Sequence, residues 1–124
     1  MNTQKTWIII SGISGFLGVA LGAFGAHILK NDLIPENIEI YKTGVFYQLI
    51  HTAVILAIAL FGNRKFYKSN TFFASGILLF SFSLYLYSVT SVKLFAMITP
   101  IGGVLFLSGW LFLIINSLKK DKES

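Results

Sequence analysis

Four long runs without a charged residue dominate the chain: Thr6 to Leu29, Thr43 to Asn63, Ser69 to Val92 and Leu94 to Leu118. A helix needs roughly 20 apolar residues to cross the hydrocarbon core of a bilayer, so each run predicts one span. Apolar residues are spread around each run with no polar face, which fits helices surrounded by lipid and by one another. The strict apolar–polar alternation of a membrane barrel is absent. The pattern predicts an all-α membrane protein: four transmembrane helices in an antiparallel bundle. It forms a single integral membrane domain over 1–124, with spans at about 6–29, 43–63, 69–92 and 94–118.

Within the first run, small residues collect on one broad face that includes Gly15, Gly18, Gly22 and Gly25, with Gly18 and Gly22 in GxxxG spacing. Glycines let two helix backbones approach closely, either inside the chain's own bundle or at a homodimer seam. His27 lies on nearly the opposite side, near the outer end. In the fourth run, Gly102, Gly103 and Gly109 permit the same close packing. That helix begins either at Pro100, with Thr99 as its N-cap, or near Leu94 with a kink at the proline. Helix 2 is expected to start near Pro35, followed by Glu36 in its first turn.

The polar residues inside the runs are unevenly placed. Gly44, Gln48 and His51 recur on one face of helix 2, with Tyr47 and Thr52 beside them. At 1.5 Å per residue His51 lies on the order of 12 Å into its run, a depth at which a histidine is a functional candidate by default. The alternative is a neutral imidazole bonded to Tyr47, Gln48 or a neighbouring helix. Ser81, Tyr85 and Ser88 share a face of helix 3. Together His27, Tyr47, Gln48, His51, Ser81, Tyr85 and Ser88 make a candidate polar pocket, concentrated toward the outer half of the bundle. Either it opens to the outside, or it is a hydrogen-bonded layer that locks the helices in register.

Composition agrees with the pattern: 55% of residues are hydrophobic and 12% charged, against about 25% charged in soluble domains. The absence of cysteine excludes thiolate metal sites, thiol catalysis, disulfides and cysteine lipidation. The formal charge is +5, and its distribution is a topology signal. Lys5, Arg64, Lys65, Lys68, Lys119, Lys120 and Lys122 fall on one side of a four-span topology, and Lys30, Lys42 and Lys93 on the other. Basic short loops stay in the cytoplasm, so both termini are expected there. Asp32, Glu36 and Glu39 lie in the first outer loop. No contiguous basic face for nucleic acid is present. The first run is longer than the apolar core of a signal peptide, so it is expected to remain as a span.

Several blocks resemble a known family. The run Ala20-Leu-Gly-Ala-Phe-Gly-Ala-His27 is similar to the most distinctive block of the small four-helix membrane proteins of domain of unknown function 423, whose eukaryotic relatives are called transmembrane protein 256. Tyr47-Gln48 with His51-Thr52, Phe80-Ser81-x-Ser83-Leu84-Tyr85, and Thr99-Pro100-Ile-Gly102-Gly103 with Gly109-Trp110 follow in matching order. Gly44 stands where alanine is commoner in that family, and Ile28 where a small residue often follows the histidine. The resemblance implies a multi-pass protein of the bacterial plasma membrane and carries no activity with it.

Three functional readings compete. The first is a non-enzymatic structural or accessory protein whose partners are the bilayer and either a second copy or another membrane protein. The second is a small oligomeric transporter or permeability protein with an outward-facing pocket around His51, although no acidic residue lies inside a span to couple protons. The third is a haem protein with His27 and His51 as axial ligands. The residues themselves define no catalytic constellation, no metal-ligand set and no required cofactor.

Overall fold

The computed structural model describes residues 2–121; Lys122, one of the basic residues read above as a topology signal, lies outside them. Four helices are long and apolar enough to cross a membrane: α1 (Thr3–Leu29), α2 (Pro35–Phe61), α3 (Arg64–Thr90) and α4 (Lys93–Ser117). Side-chain caps and left-handed residues set half of their ends. Asn2 caps α1 by accepting the Lys5 N–H at 2.7 Å. Pro35 occupies the first turn of α2 with Glu36 beside it, where a fixed φ and a negative charge both suit a helix N-terminus. Gly62 stops α2 in the left-handed conformation at φ 84°, which glycine adopts without a Cβ penalty.

The turn between α3 and α4 decides where the last helix starts. Ser91 takes φ 56°, and the Thr90 hydroxyl accepts the Val92 N–H at 3.2 Å. Val92 is the last extended residue, so α4 begins at Lys93 and runs through Pro100. A start at Pro100 with Thr99 as the N-cap is therefore corrected. The Thr99 hydroxyl lies inside the helix, 3.3 Å from the Phe95 carbonyl and 2.6 Å from the Ser83 hydroxyl of α3.

Each helix packs mainly on its neighbours in sequence: α1 on α2, α2 on α3, α3 on α4. No extended seam joins α1 to α4 among the described residues. The central pair is consequently the most buried, and α1 and α4 turn long apolar faces outward, among them Ile13, Phe16 and Val19 on α1 and Val104, Leu107 and Ile114 on α4. In lipid these faces need no cover. Toward the end that carries the α2–α3 turn, Ile55, Ile58, Tyr67, Phe73, Ile77 and Phe106 form one apolar cluster, against which Trp7 and Leu113 pack.

Two helices contain a π-turn, at Leu21–Gly25 in α1 and Ile77–Ser81 in α3. Both lie where a neighbour comes unusually close. The Tyr41 hydroxyl of α2 donates to the Leu21 carbonyl at 2.7 Å, and a Cβ at Gly25 would collide with that hydroxyl. The α3 turn is held from both sides: a Cβ on Gly44 of α2 would come within 3.1 Å of the Ser81 carbonyl, and one on Gly102 of α4 would strike the backbone of Phe80. An extra residue in a turn frees carbonyls from the regular ladder, and at Leu21 a side chain from the next helix takes one up.

Candidate functional site

The buried stripe of α2 sets the geometry of the interior. Asn37, Tyr41, Gly44, Gln48, His51, Ile55 and Ile58 are all buried, and they follow one another in alternating steps of four and three, the spacing of a helix seam. The polar members of this stripe serve two separate networks.

The first joins α1, α2 and α3. Gln48 is fully buried; its Nε2 donates to the Ser14 carbonyl at 2.8 Å, and its Oε1 accepts from the Tyr85 hydroxyl at 2.6 Å. Beside it the hydroxyls of Ser14 and Thr52 lie 2.6 Å apart. Further toward the start of α2, Asn37 donates to the Ser88 carbonyl and the Ser91 hydroxyl, each at 3.1 Å. The Ser88 hydroxyl turns back to its own helix, donating to the Tyr85 carbonyl at 2.8 Å. A primary amide has donors and an acceptor at opposite corners, so Gln48 can tie two flanking helices at once.

The second network joins α2 to α4. His51 Nδ1 lies 2.8 Å from the Tyr47 carbonyl, and Nε2 accepts the indole N–H of Trp110 at 3.1 Å. A carbonyl cannot donate, so the proton sits on Nδ1 and the neutral imidazole satisfies both contacts. The ring stacks on Phe106 with centroids 3.9 Å apart and lies 5.4 Å from Phe73. An open cleft of about 410 Å³ adjoins it, lined in part by Tyr47, Pro100, Gly103 and Trp110.

The residues singled out in the sequence are thus not gathered in one pocket. Gln48, Tyr85 and Ser88 belong to the first network; His51 and the backbone of Tyr47 belong to the second. The Ser81 hydroxyl is buried in the α3 π-turn without a hydrogen-bond partner. His27 is exposed near the C-terminal end of α1 and enters neither network. Gly15, Gly18, Gly22 and Gly25 all face α2, opposite Thr52, Leu49, Val45 and Tyr41; Gly102 and Gly109 face Phe80 and Phe73 of α3, and Gly103 has ordinary clearance.

Asn37, Tyr41 and Trp110 are absent from the sequence-derived set, and so is the pair Ser69 and Asn70, buried at the far end of α3. The α2 spacing would have revealed the first two. Trp110 carries no comparable signal, because an indole inside an apolar span also suits a lipid-facing position. Among the described residues, no group of three or more His, Asp or Glu side chains is placed to hold a metal.

Residues 21–103, from the π-turn of α1 to the glycine pair of α4, match the family model described as Protein of unknown function (DUF423). The chain belongs to that family. It is 40% identical to the UPF0382 inner membrane protein YgdD of Escherichia coli K12, over 98% of this chain and 95% of the relative. It is 38% identical to the UPF0382 membrane protein SSP2132 of Staphylococcus saprophyticus, over 94% of this chain and 99% of the relative. With the UPF0382 membrane protein YwdK of Bacillus subtilis the identity is 33%, over 94% of this chain and 98% of the relative. No solved structure matches. This member of the DUF423 family is a multi-pass bacterial membrane protein embedded in the lipid bilayer.

Proposed function

We propose that the protein is a non-enzymatic structural or accessory component of the plasma membrane, one integral domain whose termini and α2–α3 turn lie in the cytoplasm. The observation that carries this reading is the state of His51: both ring nitrogens are engaged inside the chain, by Tyr47 and Trp110. An imidazole held this way must break a bond before it can ligate a metal or relay a proton. Gln48 and Tyr85 are likewise bound to each other. The polar layer then serves to fix helix register, and the outward apolar faces of α1 and α4 meet lipid or a neighbouring membrane protein.

The test is extraction of the full chain from its own membrane into lipid discs without detergent, followed by native mass spectrometry. The accessory reading expects the chain with no ligand but lipid, or a complex with another membrane protein. A water-soluble small molecule retained in stoichiometric amount overturns it.

The cleft beside His51 favours a second reading, a small oligomeric transporter. There a substrate would enter between Tyr47 and Pro100 and replace the Trp110 contact. In proteoliposomes carrying an internal pH dye, a proton flux abolished by His51→Asn supports this reading, and the absence of flux excludes proton coupling.

A further inference from the structure

At the end of the bundle opposite the polar networks, the turn between α2 and α3 forms an anion-binding arrangement. Lys65 Nζ lies 2.7 Å from Oδ1 of Asp121, and Asn63 Nδ2 donates to the same oxygen at 2.8 Å. Two donors from one turn thus converge on a single carboxylate oxygen. Lys65 is additionally fixed by donating to the Lys119 carbonyl at 3.1 Å, and Asn63 is fixed by accepting the Lys65 N–H. Paired with Lys65, the Asp121 carboxyl sits below the usual carboxylate range. Its side chain is nevertheless 59% exposed, on a segment beyond the end of α4.

These donors open into a cavity of about 910 Å³ between the ends of α3 and α4, which Arg64, Lys68, Lys119 and Lys120 also line. Its wall includes the buried Asn116. Toward the membrane, Lys68 Nζ stands 4.1 Å from the centre of the Phe112 ring, and Phe112 stacks on Phe72 at 5.3 Å. Cationic groups therefore occupy the mouth and flat apolar surface the side toward the middle of the bundle, where α3 begins and α4 ends. A single carboxylate is a weak match for so many cations, whereas a phosphate group offers more acceptor oxygens and at least equal charge.

We propose that this cavity binds a phosphate group, that of an anionic phospholipid lying against Phe72 and Phe112, and that Asp121 is the internal carboxylate it displaces. Arg64, Lys68 and Lys119 surround the group, while Lys65 and Asn63 give it the contacts now made to Asp121. Basic pockets between spans are suited to phospholipid headgroups.

The experiment uses the full chain in phosphatidylcholine discs doped with phosphatidylglycerol, with retained lipid counted by native mass spectrometry. Lys65→Gln is expected to weaken retention about ten-fold, the loss of one direct charge-assisted contact to the phosphate. Lys5→Gln, the same charge change at the same end of the bundle but outside the cavity, is expected to leave retention unchanged. Asp121→Asn is expected to strengthen it. A thermal melt of each variant confirms that it is folded. Competition by millimolar inorganic phosphate, sensitive to Lys65→Gln, would assign the site to soluble phosphate; its absence assigns it to the lipid. Equal losses in Lys65→Gln and Lys5→Gln, no gain in Asp121→Asn, or no retention of either phosphate source overturns the proposal.

Discussion

The indole N–H of Trp110 points at Nε2 of His51 across 3.1 Å, so a residue of α4 fixes which nitrogen of an α2 histidine carries the proton. Trp110 is 40% exposed and lines the cleft, so one edge of the indole is open at the surface while the other holds the imidazole. Trp110→Phe keeps the ring and removes the donor, leaving a buried acceptor unpaired. A loss of about 1 kcal/mol is expected, measured by thermal unfolding in lipid discs. Unchanged stability would mean that the bond contributes nothing to the fold.

The two networks are expected to be energetically separate. A double-mutant cycle between Gln48→Ala and Tyr85→Phe should show a coupling of about 0.5–3 kcal/mol, because these side chains share a bond. Trp110→Phe combined with Tyr85→Phe should be additive to about 0.5 kcal/mol. Strong coupling in the second pair would merge the networks into one site and return weight to a continuous pocket.

Adjacent glycines on α4 offer a sharper contrast. A Cβ at Gly102 would strike the backbone of Phe80, whereas one at Gly103 would stay 3.9 Å from the Phe80 ring. Gly102→Ala must force α3 and α4 apart and should cost about 1–3 kcal/mol or more. Gly103→Ala should be close to neutral, because a methyl fits at that distance. Comparing the folded yield and melting temperature of the two variants checks the packing directly.

Gly25→Ala is expected to be rescued by a second change. The added methyl collides with the Tyr41 hydroxyl, and Tyr41→Phe removes that oxygen together with its bond to the Leu21 carbonyl. The double variant should melt above Gly25→Ala alone. If it melts lower, the hydroxyl bond outweighs the clash and the α1 π-turn depends on Tyr41.

Asp121 gives a prediction in pH. Its carboxyl is lowered by hydrogen bonds from Lys65 and then Asn63, with the Lys65 charge adding to them. A depressed carboxyl contributes its clasp fully above its ordinary pKa and loses it as pH falls through the lower folded value. A carboxyl-carbon NMR titration of Asp121 should therefore place its midpoint below that of a free aspartate. Lys65→Gln should move it back up, and high salt should do the same.

Much of this was legible in the sequence, and the remainder has identifiable causes. Charge-free runs gave four helices because desolvating a charge in hydrocarbon is costly, and Pro35 marked the start of α2. The face holding Gln48 and His51 could be read from its spacing, since buried positions recur at the helix period. Both histidines stand among the candidates, His51 singled out by its depth, and small residues turn one face of α1 toward α2 and leave His27, on nearly the opposite side, exposed. Neither π-turn could be read, because an added residue in a helix has no side-chain signature. The partner of His51 was hidden too, since the direction of the Trp110 N–H depends on how α4 is rotated against α3.

The serial contact of each helix with the one before it bears on how the chain is made. As α2 leaves the ribosome, its glycine-fitted partner α1 is already in the membrane, and α4 finds the face of α3 already in place. With no extended seam between α1 and α4 among the described residues, assembly ends with the last hairpin rather than with a closing of first helix upon last. The nascent protein can therefore settle one neighbour at a time, and the Trp110 contact to His51, which reaches from the last helix back to the second, forms only once α4 is in place.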